Sequence, residues 1–170
     1  DGAPITVPEA EMNKSKLPVA QKEVLAMLID DHRMVAKIFK DFESEKDPKR
    51  QEEMVTTACN ALTVHAEIEE QVFYPFLREQ DPEEFGDLLN EAKVEHASAK
   101  DLIAQLSVMK PGDELYEAKF TVLGEYVDHH VKEEEDELFP KIINKKIDLR
   151  ELLDPMMTQR QKLEKMATPA

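Results

Sequence analysis

Cysteine, glycine and long apolar segments are scarce in this chain of 170 residues. The single cysteine, Cys59, excludes an intramolecular disulfide and any metal site built from several thiolates. Its residue type favours a small, buried apolar role. No apolar run approaches the ~20 residues that a membrane-spanning helix needs. With four glycines, 41% apolar and 35% charged residues, the composition is typical of one folded domain with a real core.

Positive charge is scarce as well, because 22 Lys and Arg stand against 37 Asp and Glu, a formal net charge of −15. Such a surface repels phosphate groups, so we expect neither nucleic acid nor an anionic membrane as a partner. No signal peptide is visible. The chain begins at Asp1 and not at Met, so we expect that a preceding piece is missing from this sequence. Cytoplasmic localisation is the default expectation.

Apolar residues recur at spacings of three and four along four long segments, which is the period of helices that bury one face. The predicted parts are an N-terminal arm (1–17), a bundle (18–146) that begins with Pro18 as the first helical residue, and a C-terminal extension with a short helix (147–170). Short turns between long helices make neighbours antiparallel, so the predicted fold class is all-α, an up-down-up-down four-helix bundle. Pro75 and Pro140 lie inside the second and fourth helices, where we expect kinks or local unwinding.

Four histidines lie on the apolar stripes, one in each predicted long helix: His32, His65, His96 and His130. In two helices a glutamate follows four residues later (Glu69 and Glu134), which places imidazole and carboxylate on one helix face. The segments HAEIEEQVFYP and HVKEEEDELFP repeat each other, and Asp31-His32 corresponds to Glu95-His96. The sequence therefore predicts two helix hairpins of one design, packed face to face.

A single histidine on an apolar stripe is usually a hydrogen-bonded core residue. Four imidazoles and two carboxylates in one core, however, carry a large desolvation cost if they have only each other as partners. Two divalent cations offset that cost, because neutral imidazole and carboxylate are their natural ligands. Ligation without thiolate fits iron, manganese or zinc, and two bridging carboxylates favour a dinuclear iron centre. A bundle with packing histidines only, or a structural zinc domain, is the alternative.

The order His…His-x-x-x-Glu…His…His-x-x-x-Glu, with the flanking EE…FYP and EEE…LFP runs, resembles the hemerythrin-like HHE cation-binding domain family over about residues 20–145. The resemblance implies a four-helix bundle with two iron ions, an oxo- or hydroxo-bridged di-iron centre that binds O2, peroxide or NO. It also implies six metal ligands, four terminal histidines and two bridging glutamates: His32, His65, His96, His130, Glu69 and Glu134.

Two departures from the oxygen-carrying members bear on function. The carriers have a fifth histidine one turn from the third-helix ligand, whereas Ala92 and Lys100 occupy those positions around His96. Open coordination positions favour chemistry or sensing over reversible oxygen storage. The carriers also have an aspartate five residues after the fourth-helix histidine. Glu135 stands there, and it is the alternative to Glu134 as a bridge.

Several residues close to the predicted ligands have more than one reading. Tyr126, one turn before His130, either packs in the core or points its hydroxyl at a bound small molecule. His129 is rotated about 100° from its neighbour along the helix and is expected at the surface. Glu70 or Glu135 is placed to orient a ligand histidine.

We therefore expect a di-iron protein that acts on O2, peroxide or NO as a sensor, scavenger or detoxifier. If it is an enzyme, the expected class is a peroxide- or NO-consuming oxidoreductase. Two ferrous ions together can supply two electrons to O2 or peroxide, which zinc cannot. The alternative function is an iron-responsive or iron-storage module that binds metal without turnover.

Overall fold

The computed structural model describes residues 12–167, and within that range the regular structure is helical with no strand. The α-helices are α1 (Val19–Phe42), α2 (Pro48–Ile68), α3 (Tyr74–Gln80), α4 (Pro82–Ser107), α5 (Tyr116–Glu133), α6 (Phe139–Asn144) and α7 (Leu153–Ala167). Single π-helical turns join α2 to α3 (Glu69–Phe73) and α5 to α6 (Glu134–Leu138), so each pair forms one continuous rod. The predicted all-α bundle is confirmed: α1, α2–α3, α4 and α5–α6 pack together, and α7 lies against α2.

Two helices begin at an Asp-Pro pair, and in both the aspartate side chain caps the helix. The side chain of Asp47 accepts a hydrogen bond from the N–H of Lys49 at the start of α2, and Asp81 accepts one from Glu84 at the start of α4. The prediction of Pro18 as the first helical residue is wrong by one position. Pro18 is extended, with ψ of 149°, and its carbonyl accepts the first helical bond, from the N–H of Lys22 at 2.8 Å.

The predicted unwinding near Pro75 and Pro140 takes the form of the two π turns. Each proline lies at the start of the helix that follows the turn, where its missing N–H costs no hydrogen bond. The N–H of Tyr74 bonds five residues back to the carbonyl of Glu69, and Phe139 bonds in the same way to Glu134. Both π turns therefore begin at the glutamates that the sequence predicts as bridging ligands.

A π turn adds one residue to a helical turn and so rotates everything after it. A regular helical period carries the apolar stripe of the second helix through Val72 and Phe76, but these side chains are only partly buried. Phe73 and Leu77 are fully buried in their place. The apolar stripe is therefore shifted by one residue beyond Glu69.

The buried apolar residues form two clusters that occupy the two ends of the bundle. One cluster includes Leu28, Phe139 and Met156 of α7. The other includes Phe120 and Cys59, whose predicted burial is confirmed. Burial raises the pKa of the Cys59 thiol to about 11, so the thiol stays protonated. The predicted ligand residues belong to neither cluster and lie in the layer between them.

Most of the predicted N-terminal arm (1–17) lies outside the described residues. Its last part is a 3₁₀ turn (Lys14–Lys16), after which Leu17 is buried against the bundle. A second 3₁₀ turn (Arg150–Leu152) leads into α7. None of the helices between residues 12 and 167 is both long and apolar enough to cross a bilayer.

Candidate metal centre

All six predicted ligands are buried in one layer of the bundle core. They form two groups of three, in each of which one ligand atom per residue lies within 4.8 Å of the others: His32, His65 and Glu134, called triad A here, and Glu69, His96 and His130, called triad B. Each triad takes residues from three different rods of the bundle. The helix period therefore brings together residues that are up to 102 positions apart in the chain.

Each glutamate faces histidines of both triads. Glu69 Oε1 lies 3.3 Å from His65 Nε2 and 3.2 Å from His96 Nε2. Glu134 Oε1 lies 3.6 Å from His32 Nε2 and 2.9 Å from His130 Nε2. Two donors about 2.1 Å from one ion and at right angles to each other are about 3.0 Å apart. The spacing therefore fits two ions that share two carboxylates.

Seven buried side-chain atoms of these residues have no hydrogen-bond partner: His32 Nε2, His65 Nε2, His96 Nδ1 and both carboxylate oxygens of Glu69 and Glu134. Buried polar atoms are normally satisfied, and each one left without a partner costs about 1–3 kcal/mol. Metal ions would satisfy nitrogen and carboxylate oxygen lone pairs together. The donor set therefore fits a dinuclear metal site.

The electrostatics of the layer also favour cations. Burial opposes the charged form of His65, but Glu69 and Asp31 outweigh it and raise the pKa of this imidazole to about 10. Burial likewise opposes the charged forms of His32 and His130, yet Glu134 raises the pKa of both above the ordinary value. Burial would raise the pKa of Glu69, but His65 and other neighbours hold it well below its usual range. Without metal ions, protons on the imidazoles balance the buried carboxylates.

Each of the four predicted ligand histidines has an acidic residue near its Nδ1 atom, and in three of the four pairs the contact is a hydrogen bond. The pairs are His32 with Glu135 at 2.8 Å, His65 with Asp31 at 2.8 Å, His130 with Glu95 at 2.9 Å, and His96 with Glu70 at 3.7 Å. A carboxylate at Nδ1 holds the proton there and leaves Nε2 free to bind a metal. Each of these acids is next in sequence to a predicted ligand of another helix, and two of the four contacts, His32 with Glu135 and His96 with Glu70, join the two predicted hairpins.

Glu135 lies on the Nδ1 side of His32 and is also bound by Arg33, at 2.6 and 2.9 Å. Glu135 therefore holds the ring of His32, which is the contact expected of a residue that orients this predicted ligand. The carboxylate that faces the Nε2 atoms is that of Glu134. The geometry thus favours Glu134 over Glu135 as the shared carboxylate.

Tyr74 lies against two of the predicted ligand histidines, His96 and His130, and the sequence analysis assigned it no role. Its hydroxyl is 3.3 Å from His130 Nε2, and its ring stacks on that of His96 with centroids 5.6 Å apart. Burial, with Glu134 and Glu69 nearby, raises the pKa of the phenol well above its usual value. The π turn after Ile68 rotates Tyr74 inward, and the available signal was the aromatic pair before Pro75.

The other neighbours divide between core and surface. Tyr126 is 45% exposed, so the prediction that it packs in the core is wrong. His129 is 68% exposed, as predicted, and lies between Glu95 and Glu133.

At the positions where a fifth histidine would lie, the structure has residues that face elsewhere. Ala92 is buried in the apolar cluster that contains Phe139. The ammonium of Lys100 is bound by Glu67 and Glu70 at 3.1 and 2.5 Å. No further imidazole comes from either position.

An apolar cavity of about 50 Å³ adjoins the two triads. Its walls include Val35, Leu62, Ala99 and Ile103, and the four ligand histidines also line it. Tyr126 contributes to the same wall. A single water needs roughly 10–15 Å³ by this measure. The cavity is therefore large enough for a molecule of two or three atoms beside the metal-binding layer.

Comparison with known proteins places these features in context. The model of the hemerythrin HHE cation binding domain matches residues 23–142. A protein described as a DNA nickase, from Nostoc sp., is 31% identical over 118 residues, which cover 67% of this chain and 32% of that protein. The chain thus spans about a third of the length of this relative. No solved structure matches the chain.

Proposed function

Because this chain belongs to the hemerythrin HHE cation-binding domain family, we propose that it is a non-haem di-iron protein that binds or reacts with O2, peroxide or NO. The observation that carries the proposal is the pair of buried triads whose two glutamates each face both groups of histidines. The residues that would hold the ions are His32, His65 and Glu134 in triad A and Glu69, His96 and His130 in triad B. Sensing, scavenging and detoxification are the roles that this site supports.

Iron is the metal that we propose for this donor set. Imidazole and carboxylate without thiolate also suit manganese and zinc. Two ferrous ions together can supply two electrons to O2 or peroxide, which zinc cannot. Carboxylates shared between two ions, as Glu69 and Glu134 are placed to be, favour such a pair.

The cavity beside the triads supports a small, uncharged or weakly polar ligand. The surface that lines it is mostly apolar, so it offers few hydrogen bonds to a larger polar substrate. A diatomic molecule of low polarity loses little hydration when it enters such a space. The aliphatic side chains also keep bulk water from the imidazoles and carboxylates.

Tyr74 supplies a proton donor on the protein side. Because its pKa is raised well above the usual value, the phenol keeps its proton at neutral pH. Its hydroxyl lies 3.3 Å from His130 Nε2, at the edge of triad B. Tyr74 can therefore donate a hydrogen bond from its Oη atom to a small molecule held next to His130.

A second candidate is a metal-responsive or iron-storage module that binds iron without turnover. The observation in its favour is that the matched DNA nickase is about three times as long as the part this chain covers, so such a domain occurs within a longer protein. Nicking itself is not proposed for this chain. Its net charge of −15 repels the DNA backbone, and the match covers 32% of that relative.

Reaction with peroxide and titration with NO distinguish these candidates. Protein loaded anaerobically with Fe²⁺ should bind NO in proportion to its iron content, and this can be followed by visible absorption. Release of O2 from added peroxide would identify turnover. The variant Glu137→Gln is a matched control, because Glu137 is exposed and belongs to none of the groups of possible metal ligands among the described residues. Iron-loaded protein that neither binds NO nor consumes peroxide would contradict the proposed reactivity and leave the metal-binding module.

A further inference from the structure

Helix α7 lies outside the four-helix bundle and yet reaches the metal-binding layer. Met156 of α7 is fully buried in the apolar cluster that contains Phe139. Gln159, further along the helix, donates a hydrogen bond to Gln71 in the π turn that begins at Glu69. The docked face of α7 therefore follows the rod that carries His65 and Glu69.

Arg160, on the same face of α7, contacts Asp31, the carboxylate that holds His65. Its guanidinium Nη2 lies 2.5 Å from Asp31 Oδ2, and the same carboxylate oxygen lies 2.8 Å from His65 Nδ1. The Arg160 and Asp31 side chains are 23% and 16% exposed, so water screens this contact only in part. Arginine, carboxylate and imidazole thus form a continuous relay from α7 to a ligand of triad A.

The internal repeat offers a comparison for this relay. Glu95 corresponds in sequence to Asp31 and holds His130 in the same way, at 2.9 Å. Its other contact is the exposed His129, at 3.3 Å, where Asp31 has a guanidinium. The arginine is thus supplied to one half of the site by a helix that is not part of the repeated hairpins.

We propose that Arg160 is a positioning residue for triad A: it holds Asp31, and through it the His65 ring, so that docking of α7 and metal binding at triad A favour each other. This inference rests on the proposed metal-binding function. Acidic partners of ligand histidines fix the ring and its tautomer, and their loss typically weakens metal binding 10–100-fold. By linkage, metal binding must stabilise the docked α7 by the same factor.

The test compares the iron-release kinetics of purified, iron-loaded variants after addition of a strong chelator. Arg160→Gln should release one of its two ions faster than the wild-type protein, by up to the roughly 10–100-fold that loss of the orienting carboxylate itself would cause, while the other ion leaves at the wild-type rate. Arg160→Lys keeps a positive charge, so its rate of iron release should lie between those of Arg160→Gln and the wild-type protein. Lys162→Gln is the matched control, since it removes an exposed positive charge from the same helix and should change nothing.

A second measurement follows amide hydrogen exchange in residues 153–167. In the wild-type protein, iron loading should slow exchange in α7. In Arg160→Gln, exchange in α7 should be the same with and without iron. This readout separates coupling from simple destabilisation, because a helix that is only weakened would still gain protection from the metal.

The variant Asp31→Asn interrupts the same contacts at the carboxylate and leaves the sequence of α7 unchanged. The double variant combines Asp31→Asn with Arg160→Gln. If Arg160 acts through Asp31, this double variant should release iron no faster than Asp31→Asn alone. If the two substitutions accelerate iron release by factors that multiply in the double variant, the inference is wrong. It is also wrong if Arg160→Gln releases iron at the wild-type rate. If the wild-type protein takes up no iron, the proposed function fails together with this inference. If every variant binds two ions and releases them at the wild-type rates, the role of Arg160 is refuted and the proposed metal binding is not.

Discussion

Metal binding to this protein should release protons, and the histidines of the two triads determine how many. The pKa values of His32, His65 and His130 are raised, because carboxylates lie close to these three imidazoles in the buried layer. An imidazole must lose the proton from Nε2 before that nitrogen can bind an ion. At pH 7 we therefore expect up to three protons to be released per chain as two ions bind.

His65 gives the scale of the effect. With its pKa raised to about 10, this imidazole is protonated at pH 7, three pH units below its pKa. Its deprotonation then costs about 4 kcal/mol at 1.36 kcal/mol per unit. Below the pKa, each unit of acidification weakens metal binding about tenfold for every proton that is displaced. Because the pKa is raised, metal affinity increases with pH throughout the neutral range.

Titration calorimetry in buffers of different ionisation enthalpy measures the protons released. The observed binding enthalpy should vary linearly with the buffer enthalpy, and the slope at pH 7 should correspond to two or three protons. Glu137→Gln should give the same slope, since Glu137 is exposed and belongs to none of the groups of possible metal ligands among the described residues. An enthalpy that does not depend on the buffer would refute the reasoning, because protonated imidazoles could not then be the groups that metal displaces.

Three further predictions concern the shared carboxylates, the phenol and the cavity. Glu69→Ala and Glu134→Ala should each lower the iron content, measured by metal analysis, from two ions to one or fewer. The control variant Glu137→Ala changes an exposed neighbour and should keep two ions. If both core variants keep two ions, neither carboxylate bridges. Tyr74→Phe should keep the iron and weaken NO binding by roughly 5–10-fold, because the loss of one hydrogen bond costs about 1 kcal/mol. An unchanged affinity for NO would exclude Tyr74 as a hydrogen-bond donor. Ala99→Leu adds three carbon atoms to a cavity of about 50 Å³ and should slow NO association in stopped-flow experiments without loss of iron, so a wild-type rate would mean that the ligand enters elsewhere.

The bundle and the positions of the six predicted ligands follow from a regular helical period. His65 and Glu69 are four residues apart on one helix face, and the π turn begins only at the glutamate. The period is therefore intact up to and including each His/Glu pair. The spacing of a histidine and a glutamate on one turn, together with its repetition, is a local signal that a sequence can carry.

The π turns mark where this local signal ends. A hydrogen bond from Tyr74 back to Glu69 spans five residues, and nothing in the apolar pattern indicates it. Extrapolation of the regular period predicted Phe76 on the inward stripe and gave no role to Tyr74, which the extra residue rotates against His96. The prolines showed that the helices are disturbed, but not that the disturbance begins at the glutamates.

The Arg160–Asp31 contact was not predictable for a different reason. The two residues are 129 positions apart, and a weakly amphipathic terminal helix does not reveal on which rod it docks. The packing of Met156 against the bundle and the hydrogen bond from Gln159 to Gln71 set the position of Arg160 over triad A. Contacts of this kind depend on tertiary structure, whereas the ligand spacing depends on the helix alone.

The most direct test of the central claim is the metal content of the purified protein after anaerobic loading with Fe²⁺ and removal of unbound ions. The two triads with shared Glu69 and Glu134 predict two iron ions per chain. A near-ultraviolet charge-transfer band should accompany them after oxidation. One zinc ion and no iron, or iron that stays near zero after loading, would contradict the account.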